Sequence, residues 1–304
     1  MTVAVLAITG GTGFVGAELI DVALAAGWSV RALARSPQAA KPGVTWVPGA
    51  LDRPDSLYAL AQGADAIIHV AGVVNAPDRA AFEAGNAAGT LAMIEAAKAA
   101  RVQRFVHVSS LAAREPSLSN YGWSKARAEA IVQASGLDWT IIRPPTIYGP
   151  GDRDLLDLFR FARFGIVPIP PRGRQSIIAV NDLARLLLAV IPADETYGAL
   201  YEADDGVATG WGHDNFAKAI GWAVGGRVLP LHLPRPLLTL ASKIDRLLRR
   251  KRAKLTADRV SYMCHPDWVI DPRLRPPPSL WMPETHTRSG MKITANAYRR
   301  AGLI

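Results

Sequence analysis

The chain has 304 residues, of which 49% are apolar and 20% charged, with a net charge of +9 and one cysteine. That size supports one large domain, or a domain with an appendage, around a sizeable core. No apolar run nears the roughly 18 residues of a membrane span, and Cys264 alone excludes an internal disulfide. "MCHPDW" offers His265 beside Cys264 but no further ligands, so no metal site is expected. The chain also lacks the zinc-finger spacing or aromatic strand motif of a nucleic-acid binder.

"MTVAVLAITGG" has no basic stretch and runs straight into a glycine loop, so it reads as a first strand rather than a signal peptide. A cytoplasmic protein is the expectation. The runs 3–10, 29–35, 66–72, 104–110 and 139–145 are short, apolar and β-branched. Between them, 14–26, 55–62, 80–100 and 121–135 are alanine-rich with helical periodicity. Such alternation predicts an α/β protein, a Rossmann-type doubly wound parallel sheet covered on both faces. Ligands of such sheets bind beyond the strands' carboxyl ends, where the glycine loop, "VAG", "SS" and "RPP" all fall.

After residue 145 proline and glycine increase, with short helices expected at 181–191 and 212–224. The expected division is a dinucleotide-binding domain over 1–145, rejoined around 175–200, and a smaller, mostly helical substrate lobe over 146–304. Within that lobe, 234–255 repeats apolar residues (Leu237, Leu240, Ala241, Ile244, Leu247, Leu248) at helical spacing. Positions 242–254 hold seven Lys/Arg against one Asp. Two readings stay open. The apolar side packs on the protein, with the basic end at the helix C-terminus. Otherwise 237–255 meets an anionic membrane from its inner face.

"ITGGTGFVGAELIDVALAAG" (8–27) follows a strand and opens a helix, in the patterns Gly11-x-Gly13-x-x-Gly16 and Thr9-Gly10-x-x-Gly13-x-x-Gly16. Glycines allow the tight turn and close approach of a pyrophosphate, which the helix N-terminus then attracts. The second strand, "SVRALARSP", ends without a carboxylate and with Arg35, which favours NADP(H) over NAD(H) through a forked contact to a 2′-phosphate. Arg31, mid-strand, is a weaker helper.

"YGWSKARAE" puts Tyr121 one helical turn before Lys125, after a strand ending in Ser109 and Ser110. With "TGGTGFVG", "IIHVAG", "NAAGTLAMIEAA", "RFVHVSS", "RPPTIYGPGD" and "IIAVNDLARLLLAV" in order, the sequence resembles the extended or atypical branch of the short-chain dehydrogenase/reductase superfamily, the epimerase/dehydratase-like group. The resemblance covers about the first 190 residues, and the C-terminal end more loosely. It implies an NAD(P)-dependent oxidoreductase acting on CH–OH/C=O. Tyr121 would exchange the proton, its pKa lowered from near 10 by the Lys125 ammonium. Lys125 would also hold the nicotinamide ribose. Ser110 would polarise the carbonyl, with Ser109 as the alternative. Asn86 would support the cofactor site or simply cap a helix. Expected cofactor neighbours are Thr9, Gly10, Gly13, Phe14, Val15, Gly16, Arg35, Leu51, Ala71, Gly72, Asn86, Lys125, Pro144 and Thr146. Ala50 departs from the family, standing where an acidic residue usually binds adenine. Either Asp52 substitutes, or backbone and packing hold the base.

The resemblance leaves the substrate open. "LAA" after Ser110 lacks the acidic pair of sugar dehydratases. The favoured reading is an NADPH-dependent reductase of a small hydrophobic ketone, such as a 3-oxo lipid (a keto-ceramide) or a steroid-like ketone. The alternatives are a nucleotide-sugar epimerase, with Arg174 meeting a diphosphate, and a non-catalytic NADPH-binding assembly protein. Oligomeric state is open, a homodimer included.

Overall fold

The computed structural model describes residues 3–250 and 253–304 and divides into two compact units. The first comprises the chain up to Arg143, Leu183–Glu202 and Pro276–Trp281. It begins β1 (Val5–Thr9), α1 (Phe14–Ala25), β2 (Ser29–Ala34), β3 (Val44–Pro48), α2 (Pro54–Ala61) and β4 (Ala66–His69). A short α3 (Arg79–Phe82) passes through a π-helical segment, Glu83–Ala88, into α4 (Gly89–Ala99). Then come β5 (Arg104–Val108), α5 (Asn120–Gln133) and β6 (Asp138–Arg143).

The second unit holds Pro144–Asp182, Ala203–Arg275 and Met282–Ile304. Along the chain follow β7 (Thr146–Tyr148), α6 (Leu156–Ala162), β8 (Ile166–Ile169), β9 (Arg174–Gln175), β10 (Ile177–Ala179) and α7 (Val180–Ala189). β11 (Ala199–Glu202) belongs to the first unit. β12 (Trp211–Gly212), α8 (His213–Val224), β13 (Leu229–His232), α9 (Arg235–Arg249), α10 (Ala257–Met263), β14 (Asp267–Trp268) and α11 (Thr287–Arg300) complete the second.

The first unit is a seven-stranded sheet in the order β11-β6-β5-β4-β1-β2-β3, with every pairing parallel. Every residue of β4 and β5 is buried, as expected in a sheet covered on both faces, including the polar His69, Arg104 and His107 among the apolar ones. The edge strand β3 has no fully buried residue and was absent from the apolar runs read in the sequence. Strand order reverses between β1 and β4, so the crevice of a doubly wound sheet opens at the ends of these two strands. Register aligns Thr9, His69 and His107 across β1, β4 and β5. Leu57, Leu60, Ile67, Met93, Phe105 and Ile141 centre the core on one face.

The chain re-enters the first unit over 183–202, later than the expected 175–200, and touches it again at 276–281. The buried Arg104 guanidinium anchors that return. It donates to the carbonyls of Asp138, Val190 and Ile191 and to the hydroxyls of Thr140 and Thr196.

In the second unit three small sheets, β7–β10, β12–β9–β14 and β8–β13, surround a core containing Tyr148, Phe159, Phe216, Ile220, Met291 and Tyr298. Phe159 and Tyr298 meet edge-on at 5.1 Å. One expectation is corrected here: the apolar side of α9 does not pack on the protein. Leu237, Leu240, Ile244, Leu247 and Leu248 are all exposed, and only Leu238 and Ser242 of this helix are buried. Lys251 and Arg252 of the basic segment lie outside the described residues.

Candidate active site

The loop between β1 and α1 is built from backbone. Gly10 adopts φ +73°, a left-handed conformation that side chains resist. A Cβ on Gly16 would lie 2.1 Å from the Gly10 carbonyl oxygen, so only glycine lets α1 pack this close to the loop. Gly13 caps α1 without a side-chain hydrogen bond, and the first turn carries no acidic residue. The helix N-terminus therefore presents free partial positive charge, as the phosphates of a dinucleotide require. Phe14 and Val15 follow in the first turn. The residues present fit a nicotinamide dinucleotide.

Beneath this loop runs a chain of hydrogen bonds. The Ala71 N–H donates to Thr9 Oγ1 at 3.1 Å, and Thr9 Oγ1 lies 2.8 Å from His69 Nδ1. His69 Nε2 lies 3.1 Å from Thr90 Oγ1, which donates to the Asn86 carbonyl at 2.6 Å. Since the Thr90 proton is spent on Asn86, His69 must donate from Nε2 and accept from Thr9 at Nδ1. Burial, helped by Lys125, lowers the His69 pKa to about 3, which keeps the ring neutral in that tautomer. The chain thus ties the end of β1 to the end of β4 and to the π-helical segment.

Ser119 starts α5 by accepting from the Gly122 N–H at 2.9 Å. Tyr121, Lys125 and Glu129 then fall on one face at four-residue spacing. Tyr121 is half-buried with its ring 6.1 Å from Phe82. Lys125 is buried and donates from Nζ to the Val108 carbonyl at 2.8 Å, at the end of β5. Burial lowers its pKa to about 8, with Glu129 opposing the shift. Asn86 is no helix cap. Its Oδ1 accepts from Val73 N–H at 2.7 Å, and its Nδ2 donates to the Val73 carbonyl and to Ser124 Oγ at 2.8 Å. Ser124 in turn donates to the Tyr121 carbonyl. Asn86 therefore joins the loop after β4 to the first turn of α5. Gly72 is glycine for room: a Cβ there would sit 2.8 Å from Asn86 Oδ1 and 3.6 Å from Lys125 Nζ.

The two serines differ. Ser109 is buried and donates to Glu129 Oε1 at 2.5 Å. Arg143 clamps the same carboxylate from Nε and a terminal nitrogen at 2.8 and 2.7 Å, and also reaches Glu202 at 3.3 Å. Ser110 is half-buried, and its hydroxyl accepts only a weak cap from the Ala112 N–H at 3.2 Å. Of the pair, only Ser109 is bound to the buried carboxylate.

A family model described as NAD(P)H-binding matches residues 10–191. The chain belongs to that family. It is 35% identical to a ceramide reductase of Caulobacter vibrioides, across 99% of this chain and 96% of that protein. It is 35% identical to a farnesyl-dihydroquinoline-oxide ketoreductase of Stigmatella aurantiaca, over 52% of this chain and 55% of that one. The solved structure of MoeE5 with UDP-glucuronic acid and NAD shares the fold at a TM-score of 0.75 and 20% identity, covering 98% and 99% of the two chains. Family and fold together make this a Rossmann-type NAD(P)-dependent enzyme of the short-chain dehydrogenase/reductase kind, acting on a CH–OH/C=O centre.

Other expected residues fall into place or out of it. Arg35 is exposed just past the end of β2. Arg31 is committed elsewhere, donating to the carbonyls of Leu60 and Gln62 at the end of α2. Ala50 sits in a turn whose N–H and carbonyl are both engaged by Ser56 at 3.3 Å, while Asp52 is exposed. Leu51 packs against Gly89. Pro144 and Thr146 belong to the second unit, where Pro144 is buried and Thr146 donates to Gln175 at 3.2 Å. Arg174 is tied to the Thr209 carbonyl. The His265 ring lies 4.8 Å from that of Trp268 at a tilt of 46°, and among the described residues no cluster could hold a metal. The sequence reading missed Glu129, His69, Thr90 and Arg143. Glu129 alone had left a signal, as the next residue on the Tyr121/Lys125 face.

Proposed function

We propose that the protein is an NADPH-dependent reductase of a hydrophobic ketone, with a 3-oxo lipid of the keto-ceramide type as the substrate class. The supporting observation is the buried Lys125 one turn from Tyr121, at the strand end where Ser110 offers its hydroxyl. The likeness to the Caulobacter ceramide reductase over nearly the whole chain supports the substrate class.

In this reading Ser110 donates to the substrate carbonyl oxygen and polarises it. Tyr121 delivers the proton to that oxygen. Lys125, held by Val108, keeps a positive charge close to the Tyr121 phenol and favours its ionised form between turnovers. Gly10, Gly13 and Gly16 with the α1 N-terminus would hold the cofactor's pyrophosphate, and Arg35 a 2′-phosphate. The bound nicotinamide supplies the hydride.

The test is NADPH oxidation by the purified protein against 3-oxo lipids, steroid and flavonoid ketones, with UDP-sugars as an epimerisation control. Turnover of a lipid ketone is expected, and Tyr121→Phe should cut it by about a thousandfold or more while NADPH affinity stays within about twofold. Epimerisation of a UDP-sugar with no ketone reduced would replace this reading by the epimerase alternative.

A further inference from the structure

Most surface helices turn an apolar stripe to the core and a polar face to water. α9 does the reverse with most of its apolar residues. At about 100° per residue, Leu237, Leu240, Ile244, Leu247 and Leu248 fall within an arc of roughly 100°. All five are half or more exposed, Leu247 and Leu248 at 79% and 77%. The buried Leu238 and Ser242 lie on a different side of the helix. Lys243 flanks the exposed stripe, Arg246 lies further round the helix, and Arg249 and Arg250 stand at its end.

The one acid of α9, Asp245, is engaged within the chain. It accepts from the Lys254 and Leu255 N–H groups at 2.8 and 2.9 Å and pairs with Arg249 at 3.2 Å. The strand that feeds α9 repeats the pattern: Leu229 and Leu231 of β13 are exposed, and Leu229 is in register with exposed Ile166 of β8.

We infer that α9 is a docking surface for an anionic lipid bilayer, lying in the interface with its leucine stripe among the acyl chains and its cations at the headgroups. A helix of 15 residues spans about 22 Å, enough to lie in the plane of the surface. No helix of the described residues is long and apolar enough to cross a membrane, so the contact would be peripheral. Charge decides between the occupants of the stripe. α9 carries Arg235, Lys243, Arg246 and Arg249 against Asp245, and the whole chain carries +9. A second copy on the same face would oppose like charges, whereas anionic headgroups neutralise them. A nucleic acid would use the cations and leave the leucines in water.

The inference stands apart from the proposed reaction, because binding is read without substrate. The full chain would be floated with vesicles of phosphatidylcholine alone and with about one third phosphatidylglycerol. Binding to the second and not the first is expected, weakening as salt rises. Leu247→Glu with Leu248→Glu should lower partitioning by about tenfold or more with the melting temperature unchanged, since both side chains are already in water. Lys243→Ser should cost about fivefold. Failure of the wild-type chain to float with anionic vesicles would overturn the inference, as would leucine variants that float equally well. Sedimentation showing a dimer that the leucine variants dissociate would overturn it in favour of self-association.

Discussion

Two helices of this protein break the usual rule of burial in opposite senses. α5 buries Lys125 and Glu129 on one face, whereas α9 leaves five large apolar side chains in water. The burial on α5 is compensated: Lys125 has the Val108 carbonyl, and Glu129 has Ser109 and both ends of the Arg143 fork. The exposure on α9 has no compensation among the described residues. A misplaced group that the fold satisfies points to chemistry carried out inside the fold; one that it leaves unsatisfied points outward, to something the molecule meets.

The comparison breaks most sharply at Lys125. With a folded pKa near 8 against 10.5 for an exposed lysine, the charged form is disfavoured by folding. The penalty is present in full below pH 8 and fades as pH rises towards 10.5, so this group makes stability rise with pH across that window. Lys125→Met should therefore raise unfolding stability at neutral pH, by up to about 3 kcal/mol if the shift is taken whole. The same change should cost a hundredfold or more in kcat/KM, because Tyr121 loses its neighbouring charge. Chemical denaturation and steady-state rates on one sample would check both. A variant that is both less stable and fully active would mean that the lysine is structural.

The next effect is smaller and concerns the cofactor. Arg35 is exposed and past the strand end, so its replacement should not disturb the fold. Arg35→Asp should weaken NADPH by about ten- to a hundredfold, the worth of a lost charge-assisted contact, while leaving NADH nearly unchanged. Equal losses for both cofactors in titration would remove the 2′-phosphate assignment.

What the sequence made legible follows from where its physics is local. β4 and β5 stand out because a strand buried on both faces is mostly apolar, here Ile67, Ile68, Phe105, Val106 and Val108. β3 does not, because an edge strand tolerates Thr45 and Pro48. Spacing put Tyr121 and Lys125 on one helix face, since a helix fixes which residues share a face, but their reading as a pair came only with the ordered motifs around them. The partners of His69 could not, because Thr9 and Thr90 reach it through strand order and helix packing, which no local pattern encodes. Ser109 and Ser110 are adjacent and chemically identical, and only the Glu129 carboxylate separates them. On α9 the helical spacing was visible, but periodicity is the same whether a stripe faces in or out.

The smallest predicted effect tests whether every buried polar group of the sheet is needed there. His107 is buried beside His69, with ring centroids 5.6 Å apart, yet neither of its ring nitrogens has a hydrogen-bond partner among the described residues. Burial first, then Lys125 and His69, push its pKa well below 6.5. The unfolded chain takes up this proton as pH falls through 6.5 while the folded chain does not, so acid removes stability. His69 contributes with the same sign, down to its value of about 3. His107→Leu should then stabilise the protein by about 1–2 kcal/mol at neutral pH, the cost of leaving polar atoms unpaired. Between about pH 6 and pH 5 it should also roughly halve the loss of stability due to the two histidines, since each proton is worth about 1.4 kcal/mol per pH unit. Urea titrations at both pH values decide the matter. A destabilised His107→Leu, or one with an unchanged acid slope, would mean that the ring holds a proton or a partner in solution, and that the hydrogen-bonded chain through His69 extends one strand further, to β5.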